Sequence, residues 1–292
     1  MIPIVGAGQA GSTLTMQNGQ FSCLSRPIHS SMKERIQTEL EKIEKSFDVK
    51  VIYACESGSR AWGFPSANSD YDVRFLYLHP QDWYLTIDLE QKRDVIELPI
   101  ENDLDINGWG FRKALKLFYK SNPPLLEWLG SPIVYLEPYS TVQKMRELAA
   151  TYYNPLANMY HYLRMAQGNY REYLKGERVW IKKYFYVLRP ILAVNWLERG
   201  YGVVPTEFGT LVEEIVEGFE LKQQINELVK SKQMGQELDY GARIPVISDF
   251  IGNELARLEN KQFEKSLEKQ PVEPLNELFR SALQEVWGEN NG

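Results

Sequence analysis

Along residues 31–47 (SMKERIQTELEKIEKSF) the apolar positions Ile36, Leu40 and Ile43 recur at steps of four and three. Charged residues fill the positions between them, which predicts an amphipathic helix. The period then changes. VKVIYACESGS is a short apolar run that closes in a small-residue turn, and DYDVRFLYLH is a second run preceded by PSANS. RDVIELPI is a third, with Pro99 marking an edge or a bend, and DLDI is a fourth strand or the end of the third. NGWGFRKALKLFYKS reads as a helix closed by NPP, and LLEWL as a further helical turn. From about residue 140 the helical period takes over in TVQKMRELAATYY, PLANMYHYLRMAQGNYREYLK and RVWIKKYFYVLRPILAVNWLERG, with Pro190 expected to kink the last. From about 206 the chain stays helical and turns acidic, with Pro and Gly breaks. No internal repeat is visible. The pattern predicts an α+β domain over residues 31–138 followed by an all-helical domain over 139–292.

Composition narrows this picture. At 292 residues with 43% apolar and 12% aromatic content, the chain can bury a substantial core. A net charge of −6 argues against a sequence-neutral nucleic-acid binder, so any such role needs a local basic patch or a metal-bridged phosphate. Two cysteines, Cys23 and Cys55, supply neither a disulfide framework nor a zinc set, which fits a reduced cytoplasmic protein. No apolar run approaches the roughly 20 residues that span a bilayer, and no secretory signal is expected. Residues 1–30 read as a disordered, glycine-rich extension. Gly6, Gly8 and Gly11 match G-x-G-x-x-G, but no helical period follows and no acid appears until Glu34, so a dinucleotide site is not expected.

The candidate chemistry lies in ESGSRAWGFPSANSDYDVRF. Asp70 and Asp72 are two apart on a predicted strand and therefore project to one face, with Tyr71 and Val73 opposite. Paired carboxylates repel when ionised, a cost that a divalent cation between them would offset. Magnesium takes hard oxygen ligands and often only one or two carboxylates plus substrate phosphate. A second ion about 3.5–4 Å away would call for another acid. In ENDLDINGW that acid is Asp105, at the end of the extended segment, with Asp103 on the same face as the reserve. Upstream, Gly58 allows close approach of the backbone to a phosphate, and the Ser59 hydroxyl can hold its oxygens. Ser59 stands eleven residues before Asp70, room for one helical turn and a loop.

GSRAWGFPSANSDYDVR resembles the nucleotidyltransferase motif of the DNA polymerase β superfamily. DINGWGFRKALKLFYKSNPPLLEWLGSPIVY (105–135) and KKYFYVLRPILAVNWLE (182–198) resemble, more narrowly, the predicted nucleotidyltransferases of the RNA-repair-pathway DNA polymerase β family. The resemblance spans about residues 31–260. It implies a small mixed β-sheet catalytic domain and transfer of a nucleoside monophosphate from an NTP to a hydroxyl, with loss of pyrophosphate. It further implies that Gly58 and Ser59 hold the triphosphate, that Asp70 and Asp72 bind two magnesium ions (manganese being the alternative), and that Asp105 completes the set and acts on the acceptor. Such chemistry needs positioning and charge neutralisation rather than a covalent nucleophile, which suits a chain whose histidines are His29, His79 and His161. His161 is expected to pack or to face solvent.

Arg60 and Arg74 flank the motif as candidates for nucleotide binding. Arg74, two residues after Asp72, reads equally well as support for a carboxylate or phosphate and as a structural ion pair. Arg112 and Lys113 open the helix after Asp105 and could reach phosphate or solvent. Glu127 and Trp128 read as packing and capping residues. Segment 161–200 carries eight Lys/Arg against three Asp/Glu, whereas 201–292 carries nine against seventeen. Arg164, Arg171, Lys175, Arg178 and Lys182 would form one stripe on an unbroken helix, with a break expected at Gly176. Tyr170, Tyr173, Trp180, Tyr184 and Tyr186 are interleaved, as stacking on a single-stranded RNA acceptor would need; the alternative is core aromatics beneath a solvated face. Lys182 and Lys183 are the expected triphosphate contacts from the helical domain. Three functions remain open: transfer to an RNA end, the same transfer to a protein side chain or small molecule, and nucleotide binding without turnover.

Overall fold

A computed structural model describes residues 30–236, 238–259, 261 and 270–288. The glycine-rich stretch with Gly6, Gly8 and Gly11, together with Cys23 and His29, lies outside the described residues. The chain opens with helix α1 (Ser30–Phe47), strand β1 (Lys50–Glu56), a one-turn helix α2 (Gly58–Ala61) and β2 (Tyr71–Leu78). There follow α3 (Gln81–Tyr84), a 3-10 turn at Leu89–Gln91, β3 (Val95–Glu97), β4 (Leu104–Gly110), α4 (Phe111–Tyr119), α5 (Pro123–Leu129) and β5 (Val134–Leu136). The remainder is α6 (Thr141–Tyr152), α7 (Pro155–Tyr173), β6 (Arg178–Trp180), α8 (Lys183–Glu198), α9 (Phe208–Ile215), α10 (Phe219–Gln233), β7 (Tyr240–Ala242), α11 (Pro245–Glu259) and α12 (Glu273–Trp287).

The five-stranded sheet has the order β3-β4-β2-β1-β5. It is mixed: β2 and β4 run parallel, and the other neighbours are antiparallel. Strand alternation sorts its two faces. Tyr71, Val73, Phe75 and Tyr77 of β2, with Leu104 and Ile106 of β4, pack against Ile36, Leu40 and Ile43 of α1. Leu76 and Leu78 face the other way, toward α4, α5, α6 and α12. A register shift between Val51 and Tyr53 changes the parity of β1, so Ile52, Tyr53 and Cys55 join that second layer. Gly108 of β4 stands opposite Phe75 of β2 and leaves room for its ring, since a Cβ there would lie 2.2 Å from it.

Several boundaries differ from the sequence expectation. The expected helix at NGWGFRKALKLFYKS begins only at Phe111, because Asn107–Gly110 extend β4 between β2 and β3. RVW is the strand β6 rather than the first turn of a helix; it pairs with β7, so the C-terminal part is mostly, not wholly, helical. Helix α8 runs on through Pro190. Strand β5, three residues on the sheet edge, is too short to leave a periodic signal. Asn-Pro pairs start two helices: the Asn122 and Asn154 side chains accept from the N–H groups of Leu125 and Ala157, and proline follows each. Helices α6 and α12, from beyond residue 138, complete the apolar layer of the sheet.

The helical part packs around α8, whose Val187, Leu188, Ile191, Leu192 and Val194 are buried. It is joined to the sheet part by specific contacts. Phe64, from the loop after α2, stacks on Phe185 with ring centroids 4.6 Å apart and sits edge-on to Phe208. Arg189 of α8 is 3% exposed and binds the Glu127 carboxylate of α5 at 2.8 Å, and Tyr162 donates to the same carboxylate. His161 packs beside Tyr162, and its Nε2 finds no partner among the described residues. Among the described residues no helix is long and apolar enough to cross a membrane.

Two stability predictions follow from this packing. Removing one member of a buried ion pair strands the other, so Arg189→Met is expected to cost about 3–5 kcal/mol in urea unfolding. Glu198 receives Arg257 at 2.7 Å and Lys261 at 2.7 Å. Burial alone would raise its pKa, but those bonds outweigh burial and hold it below the ordinary value. Its contribution is therefore present above the unfolded-state pKa and lost as pH falls through the folded one. Glu198→Gln should be less stable than the parent at neutral pH, with the gap in melting temperature closing below about pH 4.

Candidate active site

The parallel register of β2 and β4 sets Asp72 directly beside Asp105 and Arg74 beside Asn107. All four are half-buried and lie on the α4 side of the sheet, at the end where β2 and β4 begin. The Arg74 guanidinium bridges the two acids: it donates to Asp105 Oδ2 at 2.8 Å and to Asp72 Oδ1 at 3.4 Å. It also holds the Asp105 backbone carbonyl at 3.1 Å. Asn107 donates to the other Asp105 oxygen at 2.6 Å. Two of the roughly four acceptor positions of the Asp105 carboxylate are thus in use, and the rest are open.

Burial pushes the Asp72 carboxyl above its ordinary value; Arg74 pulls it down, while Asp105 and Asp70 push it further up. Asp70 stands just before β2 and is exposed. Asp103 is exposed too, in a left-handed turn (φ 63°) whose carbonyl accepts from the Tyr71 N–H at 2.7 Å. Of the two acids in DLD, Asp105 is the one paired in register with Asp72.

Gly58 has φ 61°, and a Cβ there would lie 2.1 Å from Asp72 Oδ2. The backbone at Gly58 is therefore pressed against the carboxylate, an approach that only glycine allows. The helical turn begins at Gly58 itself, and Ser59 is its second residue. Arg60 is committed to backbone. It donates to the Ser69 and Asp70 carbonyls at 2.7 and 3.2 Å and stacks 3.7 Å over the Tyr71 ring. It fixes the loop that delivers Asp70.

One residue of this site carries no motif signal. Glu56, the last residue of β1, is fully buried yet charged in type, and it accepts from the Asp72 N–H at 2.8 Å and from the Tyr135 hydroxyl. Burial pushes its carboxyl up to about 7, against the pull of those two donors. It ties the end of β1 to the start of β2 and so sets the height of Asp72. Asn107 was likewise unmarked in the sequence, since its role comes only from strand register. Cys55 is buried, and burial pushes its thiol up to about 12, which makes it unreactive. Arg112 and Lys113 are paired with Glu90 and Asp94.

The helical part faces this corner. Burial, then the charges of Asp72 and Asp70, raise the pKa of Tyr186 on α8. The Lys183 ammonium is enclosed by the rings of Tyr173, Tyr186 and Trp180 at 4.2, 4.8 and 5.3 Å, so its charge already has partners. Lys182 is exposed. The basic stripe is not one helix face: α7 ends at Tyr173, Gly176 takes φ 105°, and Arg178 lies in β6. Tyr184 is core.

Residues 32–281 match the model of RlaP, the RNA repair pathway DNA polymerase beta family. The chain belongs to this family. It is thus a member of the DNA polymerase β nucleotidyltransferase superfamily, whose enzymes typically use divalent metal ions. The Bacillus subtilis (strain 168) protein YcgL, described as uncharacterized, is 51% identical over 257 residues, 88% of this chain and 98% of that protein. A crystal structure of a nucleotidyltransferase-like protein from Exiguobacterium sibiricum 255-15 is similar at a TM-score of 0.31 and 12% identity, over 77% of this chain and 75% of that one.

The donor atoms of this corner decide which metal it would suit. Among the described residues no group of three or more His, Cys, Asp or Glu is placed to hold an ion by itself. What the corner offers is two adjacent half-buried carboxylates and a third exposed one nearby, all hard oxygen donors. That set fits magnesium or manganese completed by water and substrate phosphate, and does not fit zinc.

Gly58→Ala places a methyl group onto the Asp72 carboxylate in a backbone conformation unfavourable to alanine. It is expected to lower stability by about 1–3 kcal/mol. Titration of magnesium by calorimetry should show weakened binding in the same variant.

Proposed function

We propose that this protein is a magnesium-dependent nucleotidyltransferase that moves a nucleoside monophosphate from an NTP to a hydroxyl at an RNA end. The observation that carries the reading is the Asp72–Arg74–Asp105 arrangement, with the Gly58 backbone against Asp72. In this reading the acceptor oxygen attacks the α-phosphorus, the bond from that phosphorus to the β-phosphate bridging oxygen breaks, and pyrophosphate leaves with the electron pair. Asp105 takes the acceptor proton. Arg74 and Asn107 hold Asp105 in place for that transfer, and Arg74 lets two ionised carboxylates stand side by side before substrate arrives. Gly58 and Ser59 cradle the triphosphate, and Arg60 keeps the Asp70 loop in position. Divalent ions held by Asp70, Asp72 and Asp105 would neutralise phosphate charge and lower the pKa of the acceptor hydroxyl.

The RNA acceptor is supported by the family's association with RNA repair and by a surface on the helical part. Arg164, Arg171, Lys175 and Arg178 are exposed and form no ion pair among the described residues. Beside Arg178, the Trp180 and Tyr240 rings of the β6–β7 ribbon stack 5.8 Å apart, and Tyr240 is 57% exposed, a surface on which a base could stack. The setting we infer is the cytoplasm.

Labelled NTP incubated with magnesium and RNA oligonucleotides should yield labelled RNA, and a chelator should abolish the transfer. Asp72→Asn and Asp70→Asn are each expected to reduce it by about 100-fold or more while leaving the melting temperature near that of the parent. Transfer that survives both substitutions would remove this site, and label that goes only to protein or to a small hydroxylated compound would change the acceptor.

A further inference from the structure

A second pocket lies where β2 and β4 end, at the opposite end of the strands from the acids. It is lined by the last residues of both strands, the α3 turn, the 3-10 turn and the first turns of α4. Tyr77 reaches it five residues along β2 from Asp72, about 16 Å away. The cavity of about 40 Å³ exceeds the roughly 10–15 Å³ that one water needs, and admits a group of a few heavy atoms. Tyr77 is 1% exposed, yet its hydroxyl has no hydrogen-bond partner among the described residues. That hydroxyl stands at the N-cap of α4, 3.6 Å from the position a Gly110 Cβ would take. A buried hydroxyl without an acceptor is costly, so its proton calls for one. Glycine at the N-cap also offers no side chain to the first N–H groups of α4, the positive end of the helix. Tyr84 accepts the His79 N–H at 3.1 Å and so keeps its own proton to donate. Lys92, Arg112, Lys113 and Lys116 line the pocket against two acids, Glu90 and Asp94. Four cations against two acids leave an excess of two positive charges. Glu90, 72% exposed, is shared by Arg112 and Lys116, and Asp94 takes Lys113.

We propose that this pocket is a second ligand site, which binds a phosphate group without a metal: inorganic phosphate or the phosphomonoester of a small molecule. A phosphate dianion answers each feature in turn. Its charge matches the excess, its size matches the cavity, and its oxygens accept from Tyr77, Tyr84 and the end of α4. Trp83, held flat on His79 with ring centroids 4.0 Å apart, adds an apolar surface for the body of a phosphomonoester. Arg112 and Lys113 thus meet phosphate at the far end of the sheet from the acids. The site stands apart from the nucleotidyl-transfer reading and does not depend on it.

Calorimetric titration of the full chain with sodium phosphate, and separately with glycerol 3-phosphate, tests the site. EDTA is present throughout, so that metal-bridged phosphate at the acids stays silent. One phosphate should bind per chain and raise the melting temperature. Tyr77→Phe removes a single oxygen. Without phosphate it is expected to melt at or above the parent, since an unpartnered hydroxyl is lost, and to bind phosphate about tenfold more weakly. Lys113→Met should weaken binding several-fold. Lys120→Met, exposed at the other end of the same helix, should bind as the parent does. Tighter binding of glycerol 3-phosphate assigns the site to a larger phosphomonoester, and equal or weaker binding assigns it to the free ion; both support it. A parent protein that binds neither ligand at millimolar concentration, or parental affinity in both Tyr77→Phe and Lys113→Met, would overturn the site and leave the pocket to solvent.

Discussion

Two carboxylates held side by side are the constraint around which this molecule is arranged. Parallel pairing of β2 and β4 brings Asp72 level with Asp105, and their repulsion has to be met by something. Arg74 meets it from the same face, two residues along β2, with one guanidinium shared between both acids. The rest of the corner then follows from close approach. Gly58 must lack a side chain because Asp72 Oδ2 occupies the space, and Glu56 must be buried because it holds the Asp72 N–H from beneath. A parallel pair cannot be closed by a tight turn, which is why the chain makes an excursion through α3 and β3 before β4 enters beside β2.

The second organising feature is the seam between sheet and helices. Here the loop after Gly58 supplies Trp62 and Phe64 to the helical core, while α8 sends Arg189 back to Glu127 on α5. The Arg189 guanidinium also lies 5.0 Å from the Trp62 ring, so the segment leaving the Gly58 turn is gripped by both parts. The phosphate-cradling turn of the proposed site is therefore part of the interface that positions the opposite wall.

Much of this was readable along the chain. The four-and-three spacing of Ile36, Leu40 and Ile43 predicted α1, and alternation in DYDVRFLYL predicted both β2 and the shared face of Asp72 and Arg74. The motif G-S, ten intervening residues, then D-Y-D pointed to the family that residues 32–281 match. The misreadings have a common cause. NGWG looks like the start of a helix because asparagine and glycine carry little strand signal; it is a strand because β2 and β3 lie on either side with free backbone groups to pair. RVW was absorbed into the following helix for the same reason, its partner β7 being 60 residues away in sequence.

By itself, then, the sequence determined the periodicities, the family and the residue types of the candidate site, because those are local properties of spacing and side-chain chemistry. Tertiary structure alone decided which acid of DLD stands beside Asp72, that Glu56 and Asn107 belong to the corner, that Arg60 is spent on backbone carbonyls, and that Lys183 sits among rings. Each of these is a matter of strand register or of which helix end meets which loop. Such contacts join residues tens to more than a hundred positions apart, and no local pattern encodes the distance between them.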